Sequence, residues 1–261
     1  MSKPTPIRAI QISDLHLKTA PGSQVWGVDV DASLRAVLAR IQTQDFRPDF
    51  ILATGDLVGD EPDAYERVRE FLSPLGVPVY CLPGNHDQPA RLAQTLRGGL
   101  VRWERHILVE PWQLVLLDST FPNSSDGHLS YGELALLDTV LVTPPARPTL
   151  VCLHHNPVPI HTDWLDDMTV NNGEALFAVL DRYPQVRAVV WGHIHGEFDA
   201  WRGAVRLLGT PATCVQFKLG SPKPQADSTP PGYRWFELFP DGSLNTGVER
   251  VEPARRPSVS P

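Results

Sequence analysis

The chain has 261 residues, of which 42% are hydrophobic, and its net charge at pH 7 is −7. This length and apolar content are typical of one large globular domain or two small ones. The 23 basic residues form no dense block and no stretch of 18 apolar residues occurs, so neither long nucleic acid nor a membrane is expected as a partner.

The three cysteines, Cys81, Cys152 and Cys214, are far apart in the chain and have apolar neighbours. An odd number without paired spacing is typical of buried free thiols in a reducing compartment. The segment from Met1 to Arg8 lacks the apolar core of a secretion signal. We therefore expect a cytoplasmic protein.

The first 90 residues predict strands that alternate with helices. Leu34, Val37, Leu38 and Ile41 recur with the i, i+3, i+4, i+7 spacing of one helix face. The predicted elements are strand 7–12, helix 31–42, strand 49–54, helix 63–72 and strand 77–82. This order is the signature of βαβ units.

The alternation resumes after residue 110. Ser130 and Glu133 have the spacing of a capping box and predict the start of a helix. The predicted elements are strand 112–117, helix 130–141, strand 149–153, helix 172–182, strand 186–191 and short strands at 200–208, 214–217, 233–238 and 244–251. Residues 218–232, rich in Pro, Ser and Gly, predict a loop. We expect residues 1–252 to form a single domain and residues 253–261 to be a flexible tail.

Clusters of metal-seeking side chains follow most of these strands. The clusters are Asp14-Leu15-His16, Gly55-Asp56, Gly84-Asn85-His86-Asp87, His154-His155-Asn156 and Gly192-His193-Ile194-His195. A single cluster would be an ordinary polar turn. Ligands of open α/β sheets bind beyond the carboxyl ends of the strands, so a series of clusters there predicts one shared site. The donors exceed the needs of one ion and suit two ions that share a carboxylate.

Local spacing gives a first expectation of how these side chains point. Asp14 and His16 are two residues apart, so on an extended segment they face the same way, and the same holds for the two histidines of the last cluster. His154 ends its strand and is preferred as a ligand over His155, because adjacent side chains on a strand diverge. The remaining histidines lack a matching cluster and are expected to be surface or structural residues: His106, His128 and His161.

The order D-x-H, G-D, G-N-H-D, H and G-H-x-H resembles the pattern of the calcineurin-like metallophosphoesterases. The runs at 53–57, 82–87, 154–159 and 214–218 are similar to those of the bacterial class III cyclic-AMP phosphodiesterases, as are residues 164–166 and 231–234. The similarity extends from about residue 7 to residue 251. It implies an α/β fold with four layers, an αββα sandwich in which helices flank two mixed sheets and a dinuclear metal site lies at the carboxyl ends of the strands.

The resemblance also implies the ligands of two divalent ions. Asp14, His16 and His195 would hold the first, usually iron, and Asn85, His154 and His193 the second, often manganese, with Asp56 between them; zinc or another transition metal is the alternative. His86 would face the substrate phosphate. The residues expected to bind substrate are His16, Asp56, Asn85, His86 and His195, and the expected catalytic residues are His86 and Asp56.

These assignments predict hydrolysis of 3′,5′-cyclic AMP to 5′-AMP by a hydroxide that bridges the ions, with His86 as an acid for the leaving oxygen. Asp87 would either orient His86 or a neighbouring ligand, or only cap a turn. Trp164, Met168 and residues 218–232 would form an apolar wall or lid over the base, or else ordinary core and loop.

Two other functions compete with this one. A broader phosphodiesterase or phosphomonoesterase is the first, because one fold serves many substrates. A catalytically dead scaffold is the second, although such scaffolds lack ligand histidines and none is missing here. The partners considered are a small cyclic nucleotide and a second copy of the chain in a homodimer.

Overall fold

The apolar runs form strands close to where the sequence predicts them, and the computed structural model describes residues 5–252 of the chain. The predicted tail at 253–261 lies outside the described residues. The strands are β1 (Ile7–Ile12), β2 (Gln24–Val25), β3 (Val28–Asp29), β4 (Phe50–Thr54), β5 (Val79–Leu82), β6 (Val101–Trp103), β7 (His106–Val109), β8 (Trp112–Leu116), β9 (Thr149–Cys152), β10 (Val186–Trp191), β11 (Phe198–Arg202), β12 (Val205–Gly209), β13 (Gln216–Phe217), β14 (Ala226–Asp227), β15 (Gly232–Leu238) and β16 (Leu244–Arg250). The helices are α1 (Val30–Thr43), α2 (Tyr65–Leu72), α3 (Pro89–Thr95), α4 (Tyr131–Val142), α5 (Asp163–Asp166) and α6 (Gly173–Leu180), with 3₁₀ turns at Pro62–Ala64 and Ser73–Leu75.

Two six-stranded mixed sheets form the centre of the fold. The first has the order β16-β15-β1-β4-β5-β6 and the second the order β11-β12-β10-β9-β8-β7. Within the first sheet β1, β4, β5 and β6 are parallel, and within the second β12, β10, β9 and β8 are parallel. Antiparallel strands complete the edges. Five of these parallel strands, β1, β4, β5, β9 and β10, end at loops that carry the predicted clusters.

The side chains of each central strand alternate between two buried cores, which gives the fold its layers. In β4, Phe50 and Leu52 pack into a core shared with the second sheet, whereas Ile51 and Ala53 pack against helices α1 and α2. In the second sheet, Val151 of β9 packs into a core with α4 and α6. The predicted four-layer αββα sandwich is therefore confirmed.

Helices α1 and α4 begin at side-chain caps. Asp29 caps α1 by accepting a hydrogen bond from the Ala32 amide, and the predicted apolar face of α1 is buried. Ser130 caps α4 by accepting from the Glu133 amide. The second half of the predicted capping box is absent, because the Glu133 carboxylate accepts from the Asp118 amide and pairs with Arg105 instead.

Several predicted boundaries are wrong. The strand expected at 200–208 is a hairpin, β11 and β12, that turns at Gly203, where φ is +59°. The predicted loop 218–232 contains β14, which pairs with β13, and it ends in the first residue of β15. The β2–β3 hairpin, α3, β6 and β7 were not predicted, because each is short and lacks a clear period.

The structure also bears on the predictions about the cysteines and about membrane spans. Cys81, Cys152 and Cys214 are buried and unpaired, as expected. None of the helices in residues 5–252 combines the length and the apolar character that a membrane span requires.

Candidate metal centre

The predicted clusters meet where the carboxyl ends of the two sheets face each other. The backbone amide of His193, beyond β10, donates to the carboxylate of Asp14, beyond β1, with both N···O distances 3.1 Å. The amide of Gly192 donates to the carbonyl of His154, which joins the ends of β9 and β10. These contacts connect segments that are up to 179 residues apart.

One group of donors is formed by Asp14, His16, Asp56 and His195, all buried, with ligand atoms within 4.8 Å of one another. His195 Nε2 lies 3.3 Å from the Asp14 carboxylate and 3.2 Å from His16 Nε2. His16 Nε2 is 3.6 Å from Asp56 Oδ2. Two carboxylates and two imidazoles thus face a common point.

A second group adjoins the first through the same carboxylate oxygen. His154 Nε2 lies 3.4 Å from Asp56 Oδ2 and 3.2 Å from Asn85 Oδ1. His193 Nδ1 lies 3.1 Å from that amide oxygen. Asp56 Oδ2 is therefore positioned between two sets of nitrogen and oxygen donors, which is the arrangement that two neighbouring ions require.

The tautomers show that these donors suit cations. His154 Nδ1 lies 2.8 Å from the Thr54 carbonyl oxygen, and His195 Nδ1 lies 2.7 Å from that of Val215. A carbonyl oxygen only accepts, so both Nδ1 atoms carry the proton and each neutral ring turns a lone pair on Nε2 toward the centre. These lone pairs face carboxylate and amide oxygens, which are also acceptors. Only protons or metal ions can satisfy such a set.

Protons and cations compete for these positions. Burial lowers the pKa of His154, but attraction to Asp56 outweighs it and raises the pKa to about 9. Burial is likewise outweighed at His195, where Asp14 holds the pKa well above its usual value. Burial lowers the pKa of His16 to about 4. A metal ion that binds here must displace the protons of His154 and His195, so binding releases protons.

The backbone of the clusters differs from the predicted extended geometry. The strands end before the ligand candidates, and five of these residues have positive φ: Asp14 (55°), His16 (48°), Asp56 (49°), His193 (65°) and His195 (45°). Residues other than glycine seldom adopt positive φ, and backbone strain of this kind clusters at functional sites. The shared-face argument for the D-x-H and H-x-H pairs is therefore wrong, although the structure brings the same side chains together.

Gly84 allows the two donor groups to approach each other. A Cβ at this position would lie 2.7 Å from His154 Nε2 and closer still to the Asp56 carboxylate. We expect Gly84→Ala to displace these donors and to abolish binding of a second equivalent of metal, as measured by elemental analysis. Overpacking of this kind also costs ~1–3 kcal/mol of stability.

Gly132→Ala is the matched control. Gly132 lies in the first turn of α4, where the nearest atom to a Cβ would be Ser130 Oγ at 3.6 Å. An alanine there displaces no donor and favours the helix, so that variant should keep full metal content. Full metal content in Gly84→Ala as well would contradict the proposed close approach.

His155 lies behind the centre. Its Nδ1 is 2.8 Å from the Ser119 hydroxyl, and its ring packs against that of His193 at an angle of 48°, with 4.7 Å between centroids. One ring nitrogen lies within 4.8 Å of ligand atoms of His154 and His193. His154 contacts both Asp56 and Asn85, and these contacts favour His154 as the ligand.

His86 lies at the open side of the centre and is more exposed than the other histidines of the clusters. Its backbone amide donates to Asp56 Oδ1 at 2.9 Å, and its ring Nδ1 lies 2.8 Å from the Asp60 carboxylate. The sequence analysis missed Asp60. Its only signal is its position four residues after Asp56 in G-D-L-V-G-D, which does not by itself distinguish it from a turn residue.

Asp87 binds the loops beside the donor groups, whereas orientation of His86 was only one of its predicted roles. Its carboxylate accepts from the amides of Leu57, Val58 and Gly84 and from the Tyr65 hydroxyl. These bonds fasten the loop after Asp56 to the loop before Asn85. Asp87 therefore fixes the spacing between two donor loops, which combines capping with the positioning of neighbouring ligands.

A cavity of about 230 Å³ opens beside the two donor groups. The polar residues that line it are His16, Asp56, Asn85, His86, His193 and His195. Trp164 and Met168 also line it, as the wall hypothesis predicts, and both pack against the outer core of the second sheet. Residues 218–232 do not line this cavity, so the lid hypothesis for that loop is not supported.

The three remaining histidines lie outside both donor groups, as expected. His106 Nε2 lies 3.1 Å from Gln113 Oε1, and His128 Nδ1 lies 2.7 Å from Asn171 Oδ1. His161 is exposed on the surface.

A family model described as calcineurin-like phosphoesterase matches residues 7–197, which include all five clusters. The chain belongs to this family. A member of this family thus carries, around Asp56, buried His and Asp side chains that could hold metal ions.

Relatives of this phosphoesterase extend over nearly the full chain. It is 42% identical to the 3′,5′-cyclic adenosine monophosphate phosphodiesterase CpdA of Pseudomonas aeruginosa, covering 93% of this chain and 89% of that protein. It is 39% identical to CpdA of Escherichia coli, covering 95% and 91%. A 3′,5′-cyclic-nucleotide phosphodiesterase of Nostoc is 38% identical, covering 96% and 95%.

Solved structures confirm the fold. A dimetal phosphatase from Danio rerio superposes with a TM-score of 0.63 at 17% identity, covering 90% of this chain and 93% of that one. At this identity the similarity shows a shared architecture and nothing about the substrate.

Proposed function

We propose that this phosphoesterase hydrolyses 3′,5′-cyclic AMP to 5′-AMP. The observation that carries the proposal is the pair of donor groups joined by Asp56 Oδ2, placed beside a cavity with one polar and one apolar side. Near full-length identity to several cyclic-nucleotide phosphodiesterases supports the choice of substrate.

We assign Asp14, His16 and His195 to one ion and Asn85, His154 and His193 to the other, with Asp56 shared. Nitrogen and oxygen donors without a thiolate suit iron, manganese and zinc. Iron at the first position and manganese at the second are proposed from the resemblance. When bound, two such ions lower the pKa of a coordinated water and neutralise the charge of the phosphate.

The chain's own residues complete the site. His86 stands at the open side of the donor groups, where its ring can donate to a phosphate oxygen or to the departing 3′-oxygen of ribose. Asp60 holds the ring through Nδ1, and both residues line the cavity. Asp56 Oδ1 accepts from the His86 amide, so the same carboxylate that joins the donor groups also fixes the backbone of His86.

A comparison of substrates tests the proposal. We expect kcat/KM for 3′,5′-cyclic AMP to exceed that for 2′,3′-cyclic AMP and for bis(4-nitrophenyl) phosphate, with metal content measured on the same sample. Equal or better turnover of the aryl ester would favour a broad phosphodiesterase. Absence of turnover by protein that holds both ions would favour a scaffold.

Removal of metal should abolish the reaction. Dialysis against a chelator is expected to lower kcat by ~10²-fold or more, because the ions would supply both the activated water and the charge that neutralises the phosphate. Addition of manganese or iron should restore it. The chelated protein should also unfold at a lower temperature, because a ligand that binds only the native state stabilises it. Full activity of protein free of transition metal would contradict the assignment.

We also propose a cytoplasmic location on the basis of the three buried free thiols, which suit a reducing compartment. A homodimer stays a prediction. Light scattering of the purified protein measures its mass directly.

A further inference from the structure

The hairpin formed by β2 and β3 carries a tryptophan to the mouth of the cavity. Val25 pairs with Val28, so the turn consists of Trp26 and Gly27 alone. Both have positive φ, 51° and 80°. Two-residue turns with positive φ at both positions favour Asn-Gly, and a bulky side chain at the first position is an outlier. The chain therefore keeps a tryptophan where the backbone disfavours it.

The hairpin is anchored by its valines, whereas Trp26 stays largely exposed. Val25 and Val28 pack on a small buried cluster that includes Ala212 and Cys214. Trp26 is 56% exposed and lines the cavity. Packing of the hairpin thus accounts for its valines and not for the indole.

Two further aromatic rings connect Trp26 with the metal centre. Phe217 stacks on the ring of His195 with 4.3 Å between centroids. Trp26 and Trp164 both meet Phe217 edge to face, at 5.9 and 5.0 Å. Together with Val25, Leu165 and Met168, these rings make up the apolar side of the cavity.

We infer that Trp26 is the stacking platform for the purine base, with Phe217 and Trp164 fixing its position. The inference rests on the proposed function. A phosphate held at the metal centre leaves the base to extend from the ribose toward the apolar side. Bases stack on aromatic side chains in a sequence-tolerant way, and Trp26 offers an exposed ring there. The strain at Trp26 is then explained, since the turn is shaped for ligand contact instead of stability.

Trp26→Asn tests this inference without harm to the fold. Asparagine tolerates positive φ and creates an Asn-Gly turn, so the unfolding midpoint should stay the same or rise. Loss of the stacked ring should raise KM for cyclic AMP ~10-fold with little change in kcat. Trp26→Phe keeps a ring and should retain most of the affinity.

A second substrate without a base, ribose 3′,5′-cyclic phosphate, isolates the contribution of the base. Its hydrolysis is measured by ³¹P NMR. We expect the ratio of kcat/KM for cyclic AMP to that for the abasic ester to fall ~10-fold in Trp26→Asn. Trp201→Ala is the control, because Trp201 is 64% exposed on β11 and does not line the cavity. An unchanged ratio in Trp26→Asn would overturn the inference while leaving the proposed function intact.

Failure of the proposed function gives a different result. If the wild-type enzyme, loaded with metal, hydrolysed neither ester, binding of 5′-AMP and of ribose 5-phosphate would be measured by calorimetry. A selective loss of 5′-AMP affinity in Trp26→Asn would still support the platform. Equal affinity of wild type and variant for 5′-AMP would overturn it.

Discussion

Asp56→Asn is expected to lose both metal ions together and to lower kcat/KM at least ~10³-fold, more than the loss of one oxyanion donor usually costs. The substitution is nearly isosteric, and the amide oxygen can still accept from the His86 amide. However, it removes the negative charge and turns an NH₂ group toward His16 and His154, whose Nε2 atoms lie 3.6 and 3.4 Å from Oδ2. Elemental analysis and steady-state kinetics on the same sample measure both effects.

Asp118→Asn provides the control for this experiment. The Asp118 carboxylate accepts from the amide and hydroxyl of Thr120 and belongs to neither donor group. That variant should retain two ions and nearly full activity. Retention of two ions per chain by Asp56→Asn would refute its role as the shared ligand, and retention of one would show that the two donor groups fill independently.

His86→Ala is expected to keep both ions and to lose ~10²–10⁴-fold in kcat, the usual contribution of a placed general acid. The bond from residue 86 to Asp56 Oδ1 comes from the backbone amide, so alanine preserves the orientation of the shared carboxylate. The effect should therefore fall on the chemical step. Kinetics with metal content on one sample again provide the measurement.

Asp60→Asn should affect the same step as His86→Ala, but to a smaller degree. The amide oxygen can still accept from His86 Nδ1, but the charge is gone, so we expect a smaller loss of kcat, ~10-fold, with both ions retained. If His86→Ala instead lost its metal, His86 would be a structural residue of the centre. If Asp60→Asn were as active as wild type, the contact of 2.8 Å between Asp60 and His86 would have no role in catalysis.

Much of the fold followed from local patterns. The buried face of α1 and the strands β1, β4, β5, β9 and β10 lie within a few residues of their predicted positions, because long amphipathic and β-branched runs have few alternative conformations. The pairing of β11 with β12 and of β13 with β14 was not predicted. These strands are short, and their pairing depends on partners that the local sequence does not specify.

The candidate ligands were also predicted from the sequence, but the extended geometry assumed for the D-x-H and H-x-H pairs was wrong. Asp14 and His16 do not share the face of a strand. Their backbone turns through the left-handed region, which is maintained by bonds such as those from the amides of Asp14 and His16 to the carbonyls of Gly55 and Asp56. A strained conformation of this kind persists only when the surrounding structure enforces it, so spacing along the chain could not reveal it.

The residue types, their order and their position after apolar runs can be read from the chain alone, because these depend on neighbours within one element. The contacts of Asp60 with His86, of Asp87 with two donor loops and of Trp26 with Phe217 become visible only in the folded protein. Each of these contacts joins segments that are separate in the chain and that strand pairing and side-chain packing bring together. Side chains from remote segments can act together on one ligand only after packing has fixed their relative positions.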